Sequence, residues 1–162
     1  MIETERLIFR PHQPKDEDNY IAMQTDSEFR RYIGGSARPL ENAKRRFTAA
    51  LRTPAGLPGM WAVILKPEDR YIGYCVLRKD NRGVHVGYFI AKAYWHRGLG
   101  TEAVEALLNY VKSELDVSRV LAEVEKGHSA SERILQKFGF KVLREEKVAG
   151  TGRVICDYSL TL

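Results

Sequence analysis

The chain has 162 residues, 44% hydrophobic and 29% charged, with a net charge of +5 from 26 basic and 21 acidic residues. This composition argues against a disordered chain and predicts a single domain over residues 1–162 with a buried core. No apolar run reaches the roughly 18 residues of a membrane span, and charges occupy the N-terminus where a signal peptide would be apolar. We therefore expect a cytoplasmic protein with no membrane partner.

The basic excess is mild, so it is compatible with an anionic ligand. The arginine and lysine clusters lack the interleaved aromatic residues of single-strand binders, and nucleic acid is not an expected partner. The two cysteines, Cys75 and Cys156, lie in strand-like segments without metal-ligand spacing. We expect neither a disulfide nor a metal site.

The first half of the chain predicts one strand, two helices and three further strands. Residues 5–10 are β-prone and end at a proline, whereas residues 16–23 and 40–51 carry apolar side chains at helical spacing. Short β-prone segments follow at residues 61–65, 71–77 and 84–90, separated by polar turns. These three segments indicate an antiparallel meander.

The second half begins with a long amphipathic helix from Gly98 onward. A strand at residues 119–124, a helix at 131–138 ending at Gly139, and strands at 140–143 and 154–160 follow. The order β-α-α-β-β-β-α-β-α-β-β predicts an α/β (α+β) fold with a mixed, mostly antiparallel central sheet and helices on both faces. Only the strand–helix–strand unit around Gly98 requires a parallel pair.

A glycine-rich turn opens the long helix, with Arg97, Gly98, Leu99, Gly100 and Thr101 in succession. Unpaired backbone N–H groups and the positive end of the helix dipole favour an anion at this point. The two glycines allow a diphosphate to approach the backbone, and Arg97 can add charged hydrogen bonds. Such turns also occur as plain structural connections, so the motif alone leaves both readings open.

Three separated segments together resemble one family. They are TERLIFR at residues 4–10, VGYFI with YWHRGLGTEA at 86–103, and SERILQKFGF at 131–140. The chain is similar to the GCN5-related N-acetyltransferase (GNAT) family, and within it to the branch of ribosomal-protein N-terminal alanine acetyltransferases. The resemblance implies a GNAT fold and acetyl-CoA as co-substrate, held between the strand ending near Ile90 and the strand at residues 120–124.

The resemblance also implies roles for individual residues in cofactor binding. The pyrophosphate would lie on residues 97–101, where Trp95 replaces a polar residue of the family pattern. The backbone at Phe89 and Ile90 would pair with the pantetheine arm, and an N–H there would polarise the thioester carbonyl. His128 replaces an asparagine that commonly contacts the same arm.

Two further departures concern catalysis. His85 stands where many members have a glutamate, and a neutral imidazole there is either the general base or a packed side chain. Leu135 stands where many members have a tyrosine that protonates the CoA sulfur, so Ser131 or water would have to assist the leaving thiolate. Ser131 also suits the N-cap of the short helix. His12 and His96 are expected on the surface.

The acceptor would be an amine bound under the helix pair and residues 32–39, with residues 54–60 nearby. An α-amine, with a pKa of about 7.7 to 8.0, needs less help from a base than a lysine amine near 10.4. We expect a protein or peptide α-amine; the alternatives are a small amine (a polyamine, an amino acid or an aminoglycoside-type compound) and a degenerate acyl-CoA-binding module. The sequence leaves open a longer acyl group and a homodimer.

Overall fold

The structure is a computed structural model that describes residues 1–162. It contains eight strands: Ile2–Glu3 (β1), Leu7–Arg10 (β2), Gly59–Leu65 (β3), Arg70–Asp80 (β4), Gly83–Ile90 (β5), Arg119–Glu125 (β6), Lys141–Lys147 (β7) and Val154–Thr161 (β8). It also contains five helices: Glu17–Thr25 (α1), Ser27–Arg30 (α2), Leu40–Arg52 (α3), Leu99–Glu114 (α4) and Ser129–Lys137 (α5).

All eight strands form one sheet in the order β1-β2-β3-β4-β5-β6-β8-β7. Every neighbouring pair is antiparallel except β5 and β6, which flank α4. The predicted mixed sheet and its single parallel pair are confirmed. The sequence prediction lacked β1 and α2, because elements of two and four residues are too short to show a hydrophobic period.

Helices cover both faces of the sheet, as predicted. Side chains alternate along β2 and β3, so that Leu7 and Val63 join the core beneath α4, whereas Ala62 and Ile64 join a second core with Tyr20. The core beneath α4 contains 25 buried residues, and the core beneath α1, α2 and α3 contains eight. The sheet is therefore buried on both sides at its centre.

Strands β5 and β6 remain paired over only two positions. The register joins Val84 to Val120 and His85 to Leu121 and then stops, although β5 continues to Ile90. β6 pairs instead along its whole length with β8. The two central strands therefore diverge, and the wedge between them opens toward the first turn of α4.

His12, expected on the surface, is buried in the core of α1 and α3, with 6% of its surface exposed. Its ring packs edge-on against Tyr20 and Phe47, and its Nε2 lies 3.3 Å from the Tyr71 hydroxyl. Burial lowers the pKa of His12 to about 4. In the sequence, Pro11 and Pro14 mark the end of the strand, but they do not reveal whether the His12 side chain points to the core or to the surface.

The buried His12 predicts a stability that depends on pH. Because the folded state holds this imidazole neutral, the unfolded state binds more protons between its pKa of 6.5 and the folded value of about 4. The free energy of unfolding should therefore fall by about 3 kcal/mol as the pH drops through this window. Urea titrations at each pH should show this slope in the wild type and a weaker one in His12→Phe; equal slopes would contradict the assignment.

Candidate functional site

The wedge between β5 and β6 forms a groove with a cavity volume of about 930 Å³. Its walls come from both strands, from the turn before α4, from the first turns of α5 and from the loop between α2 and α3. A groove of this size can enclose an extended small molecule. It brings together residues that are far apart in the sequence.

The turn into α4 forms one end of this groove. Gly98 is the N-cap with a φ of 74°, and Gly98, Leu99, Gly100 and Thr101 line the groove. A Cβ on Gly100 would lie 3.2 Å from the Ile134 Cδ1 atom, so the two helices approach closely here. The unpaired N–H groups of the first turn of α4 make this end suited to an anion.

Arg97 was expected to add charged hydrogen bonds to the pyrophosphate, but its side chain does not line the groove. Its exposed guanidinium lies 5.5 Å from the centre of the Tyr94 ring, and its carbonyl accepts a hydrogen bond of 2.9 Å from Arg6 Nη1. His96, expected on the surface without a role, has a φ of 59° and does line the groove. The left-handed turn at His96 and Gly98 rotates the side chain between them away.

Two cations that the sequence reading missed line the same end. Arg133 and Lys137 are four residues apart on α5 and therefore share one face of that helix. Neither has a carboxylate partner, and the adjacent Glu132 instead accepts a hydrogen bond from the backbone N–H of Gly127. Two basic residues four positions apart, in the helix that follows α4, were the sequence signal that could have identified this cationic face.

The free edge of β5 presents backbone groups to the wedge. The backbone N–H of Ala91 donates to the Ile72 carbonyl of β4 at 2.8 Å. Because backbone groups alternate in direction along a strand, those of Phe89 also point toward β4, whereas those of Tyr88 and Ile90 point toward the wedge. Phe89 instead contributes its ring to the groove. The Trp95 Nε1 atom donates to the Ile90 carbonyl at 2.7 Å, which braces the turn before α4.

His85 lies in the groove with 8% of its surface exposed. Its Nε2 is 2.9 Å from Asp80 Oδ2, and the backbone N–H of Arg82, followed by the His85 ring, lowers the pKa of Asp80 to about 2. The ionised Asp80 carboxylate can only accept a hydrogen bond, so in the neutral ring Nε2 donates and Nδ1 carries the lone pair. That buried Nδ1 has no hydrogen-bond partner and lies 4.0 Å from Glu123 Oε1.

Ser131 is not the helix N-cap, because α5 begins at Ser129 and His128 is its N-cap residue. The Ser131 hydroxyl is buried and lies 2.6 Å from the hydroxyl of Tyr88, which the sequence reading did not single out. Both residues line the groove, and burial raises the pKa of Tyr88 to about 12. Leu135, one turn after Ser131, is fully buried in the core and does not reach the groove.

His128 also lines the groove, where its ring stacks on Tyr32 from the loop after α2. The ring centres are 4.5 Å apart and the planes differ by 6°. Burial lowers the pKa of His128, which favours the neutral ring that stacks in this way. The pair connects the loop between α2 and α3 to the start of α5 across the groove.

The candidate site residues fall on opposite sides of the sheet. Phe89 packs on the core of α1, α2 and α3, and His85 shares its face because the two are four residues apart on one strand. Tyr88 packs on the core beneath α4. The groove therefore passes through the sheet, with an imidazole toward one face and a pair of hydroxyls toward the other.

The family model for the acetyltransferase (GNAT) domain matches residues 6–141, which include this groove. The chain belongs to the GNAT acetyltransferase family. Among curated relatives, this GNAT chain is 27% identical to the N-acetyltransferase p20 of Bacillus licheniformis, over 98% of this chain and 93% of that protein. It is 29% identical to the N-acetyltransferase YoaA of Bacillus subtilis, over 90% and 86% of the two chains.

Solved structures share the same fold. A GNAT-family acetyltransferase from Bacillus anthracis superposes with a TM-score of 0.85 at 22% identity, covering 99% of this chain and 97% of its own. A spermidine N-acetyltransferase from Vibrio cholerae, solved with CoA and spermine, gives a TM-score of 0.80 at 12% identity, covering 98% and 96%. The present GNAT protein is thus an N-acetyltransferase that uses an acyl-CoA. None of its helices is long and apolar enough to span a membrane.

The geometry predicts which cations contribute to CoA affinity. Replacement of both Arg133 and Lys137 by glutamine should raise the Kd for CoA about 10- to 100-fold, because charged hydrogen bonds to phosphate are lost. Arg97→Gln should leave it nearly unchanged, as should the control Lys112→Gln on the exposed side of α4. Titration calorimetry measures each Kd, and a large loss in Arg97→Gln alone would contradict the placement.

Proposed function

We propose that this protein transfers an acetyl group from acetyl-CoA to the α-amine of a protein or peptide. The observation that carries the proposal is the unpartnered Nδ1 of His85, buried in the groove on the sheet face opposite the Tyr88 hydroxyl. The resemblance to the ribosomal-protein alanine acetyltransferases supports the acceptor. A degenerate binding module would have no need for a base oriented by an ionised carboxylate.

In this proposal the CoA pyrophosphate lies on the N–H groups of residues 98–101, with Arg133 and Lys137 as counter-charges. The structure fits such a group, since a side chain on Gly100 would be crowded by Ile134 and the first turn of α4 has unpaired donors. The pantetheine arm would follow the free edge of β5 past His128. Acetyl-CoA, when bound, supplies the activated thioester.

The chain's own residues then remove a proton and stabilise charge. Bridging water carries the proton of the attacking amine to His85 Nδ1, because Ile90 lies five residues after His85 on β5, a span of about 16 Å. Asp80 holds the ring and stabilises the imidazolium that forms. The backbone N–H of Ile90 faces the wedge and is the donor for the thioester oxygen. As the N–C bond forms, the C–S bond breaks and its electron pair stays on sulfur.

Tyr88 and Ser131 are proposed to stabilise that sulfur. The pKa of Tyr88 is about 12, whereas that of a thiol is near 8.5. The thiolate is therefore too weak a base to remove the Tyr88 proton, and Tyr88 donates a hydrogen bond to it instead. The thiolate later takes its proton from water, and His85 returns its proton to water. The hydroxyl pair thus replaces the tyrosine that Leu135 cannot supply.

A second copy of the chain is a proposed partner. β7 lies at the edge of the sheet, all of its residues are exposed, and Val142 and Leu143 are 52% and 53% exposed. An edge strand with exposed apolar side chains favours pairing with another strand. Association through β7 would leave the groove open, since β8 and β6 separate the two.

The role of His85 as base predicts a kinetic effect without a binding effect. His85→Gln should lower kcat/KM for an amine about 10²- to 10⁴-fold, because the proton acceptor is lost, and leave the Kd for CoA unchanged. Wild-type turnover in His85→Gln would assign His85 to packing and leave water as the base.

The role of Tyr88 predicts a lower rate without a change in the pH profile. Tyr88→Phe should lower kcat about tenfold and raise the pKa of the CoA thiol in the binary complex, measured by thiolate absorbance, by about one unit. Ser131→Ala should behave similarly, and the double variant should be less than additive. Tyr110→Phe on α4 is the control. An unchanged thiol pKa in Tyr88→Phe would refute the contact with sulfur.

A further inference from the structure

On the acceptor side, α2, α3 and the loop between them contain three arginines without carboxylate partners: Arg30, Arg38 and Arg46. The acidic residues nearby are used elsewhere, because Asp16 pairs with Arg10, Glu28 with Lys92 and Glu41 with Lys44. Asp26 accepts a hydrogen bond from the backbone at the start of α2. This cluster, here called the arginine cluster, therefore carries uncompensated positive charge.

Arg30 is the buried member, with 6% of its surface exposed. The one hydrogen bond of its side chain runs from Nε to the Ser36 carbonyl at 3.3 Å, a long contact for a charged donor. Burial, followed by the proximity of Arg38, lowers the pKa of Arg30. The two Nη atoms of Arg30 have no hydrogen-bond partner within the protein, so they remain available as charged donors to an anion.

The neighbouring polar groups are neutral and already oriented. Gln24 is fully buried, donates from Nε2 to the Tyr74 hydroxyl at 2.9 Å and accepts from Arg38 Nε at 3.1 Å. Tyr20 lies close enough to Arg46 for that guanidinium to act against the effect of burial on the Tyr20 pKa. None of these side chains can neutralise the arginines.

The arginine cluster adjoins the groove at two points. None of the three arginines itself lines the groove, although the adjacent Arg31 does. Gly34 lines the groove with a φ of 93°, and a Cβ on it would lie 2.7 Å from Arg30 Nη2, so the guanidinium lies directly behind this glycine. The Tyr74 ring stacks at 4.7 Å on Phe89, whose ring also lines the groove. Both points are on the sheet face that His85 shares.

We propose that the arginine cluster, led by Arg30, binds a carboxylate of the acceptor amine. The inference rests on the proposed acetyl transfer and favours acceptors that carry a carboxylate: a short peptide within the proposed class, or an amino acid from the small-amine alternative. A charge-assisted pair with a guanidinium fork orients the acceptor so that its amine reaches the water that leads to His85. A polyamine would meet the same arginines with like charge.

The test compares acceptors that differ only in charge. Wild-type kcat/KM should be at least tenfold higher for amino acids and dipeptides than for the same compounds with the carboxylate converted to a carboxamide. Arg30→Met should bring the two to within about twofold, chiefly through a higher KM for the carboxylate substrates. Arg45→Met, the exposed neighbour on α3, should keep the preference. Equal wild-type kcat/KM values for the carboxylate and carboxamide forms would overturn the proposal. A higher kcat/KM for an aminophosphonate than for the matching carboxylate would also overturn it.

A measurement without turnover separates this proposal from the proposed function. In CoA-saturated protein, succinate should raise the Tm of the wild type and of Arg45→Met above that in chloride of equal ionic strength, and Arg30→Met should lose the difference. Unchanged CoA affinity in Arg30→Met shows that the variant folds. If succinate stabilises all three proteins equally, the anion site is refuted even where acetyl transfer is found. If succinate acts as expected but no amine is acetylated, the acetyl-transfer proposal fails alone.

Discussion

The separation of β5 from β6 after two paired positions is the constraint on which the rest of the structure depends. β6 gives its partners to β8 along its whole length, so the edge of β5 from Val86 to Ile90 has no strand beside it. Backbone N–H and C=O groups in a protein interior require partners, and here a ligand can supply them. The same separation admits side chains from both faces of the sheet into one groove.

The geometry of the groove at the glycine-rich turn depends on how α4 is held at its first turn. Glu102 accepts hydrogen bonds from the Thr4 hydroxyl and from the backbone and side chain of Arg6. Although burial opposes it, this set of donors lowers the pKa of Glu102, so its carboxylate stays charged where the helix dipole favours it. The charge faces β1 and β2, so it does not occupy the groove side of the helix N-terminus.

Each departure from the family pattern has a structural counterpart nearby. His85 stands in place of a glutamate and is oriented by Asp80. Trp95 stands in place of a polar residue and donates a hydrogen bond to the Ile90 carbonyl. Tyr88, with Ser131, provides the hydroxyl that Leu135 lacks. The proposed base and the proposed sulfur contact lie on opposite faces of the sheet because His85 and Tyr88 are three residues apart on β5.

The sequence by itself determined the element order, the single parallel pair, the glycine-rich turn before α4 and the position of His85, because hydrophobic period, glycine and motif spacing are local properties. It could not decide side-chain direction at Arg97, which a left-handed turn at His96 sets, or the burial of His12. Nor could it find the contact of Tyr88 with Ser131 or the arginine cluster. Those arrangements join residues from different elements, and only the packing of helices on the sheet brings them within hydrogen-bonding distance.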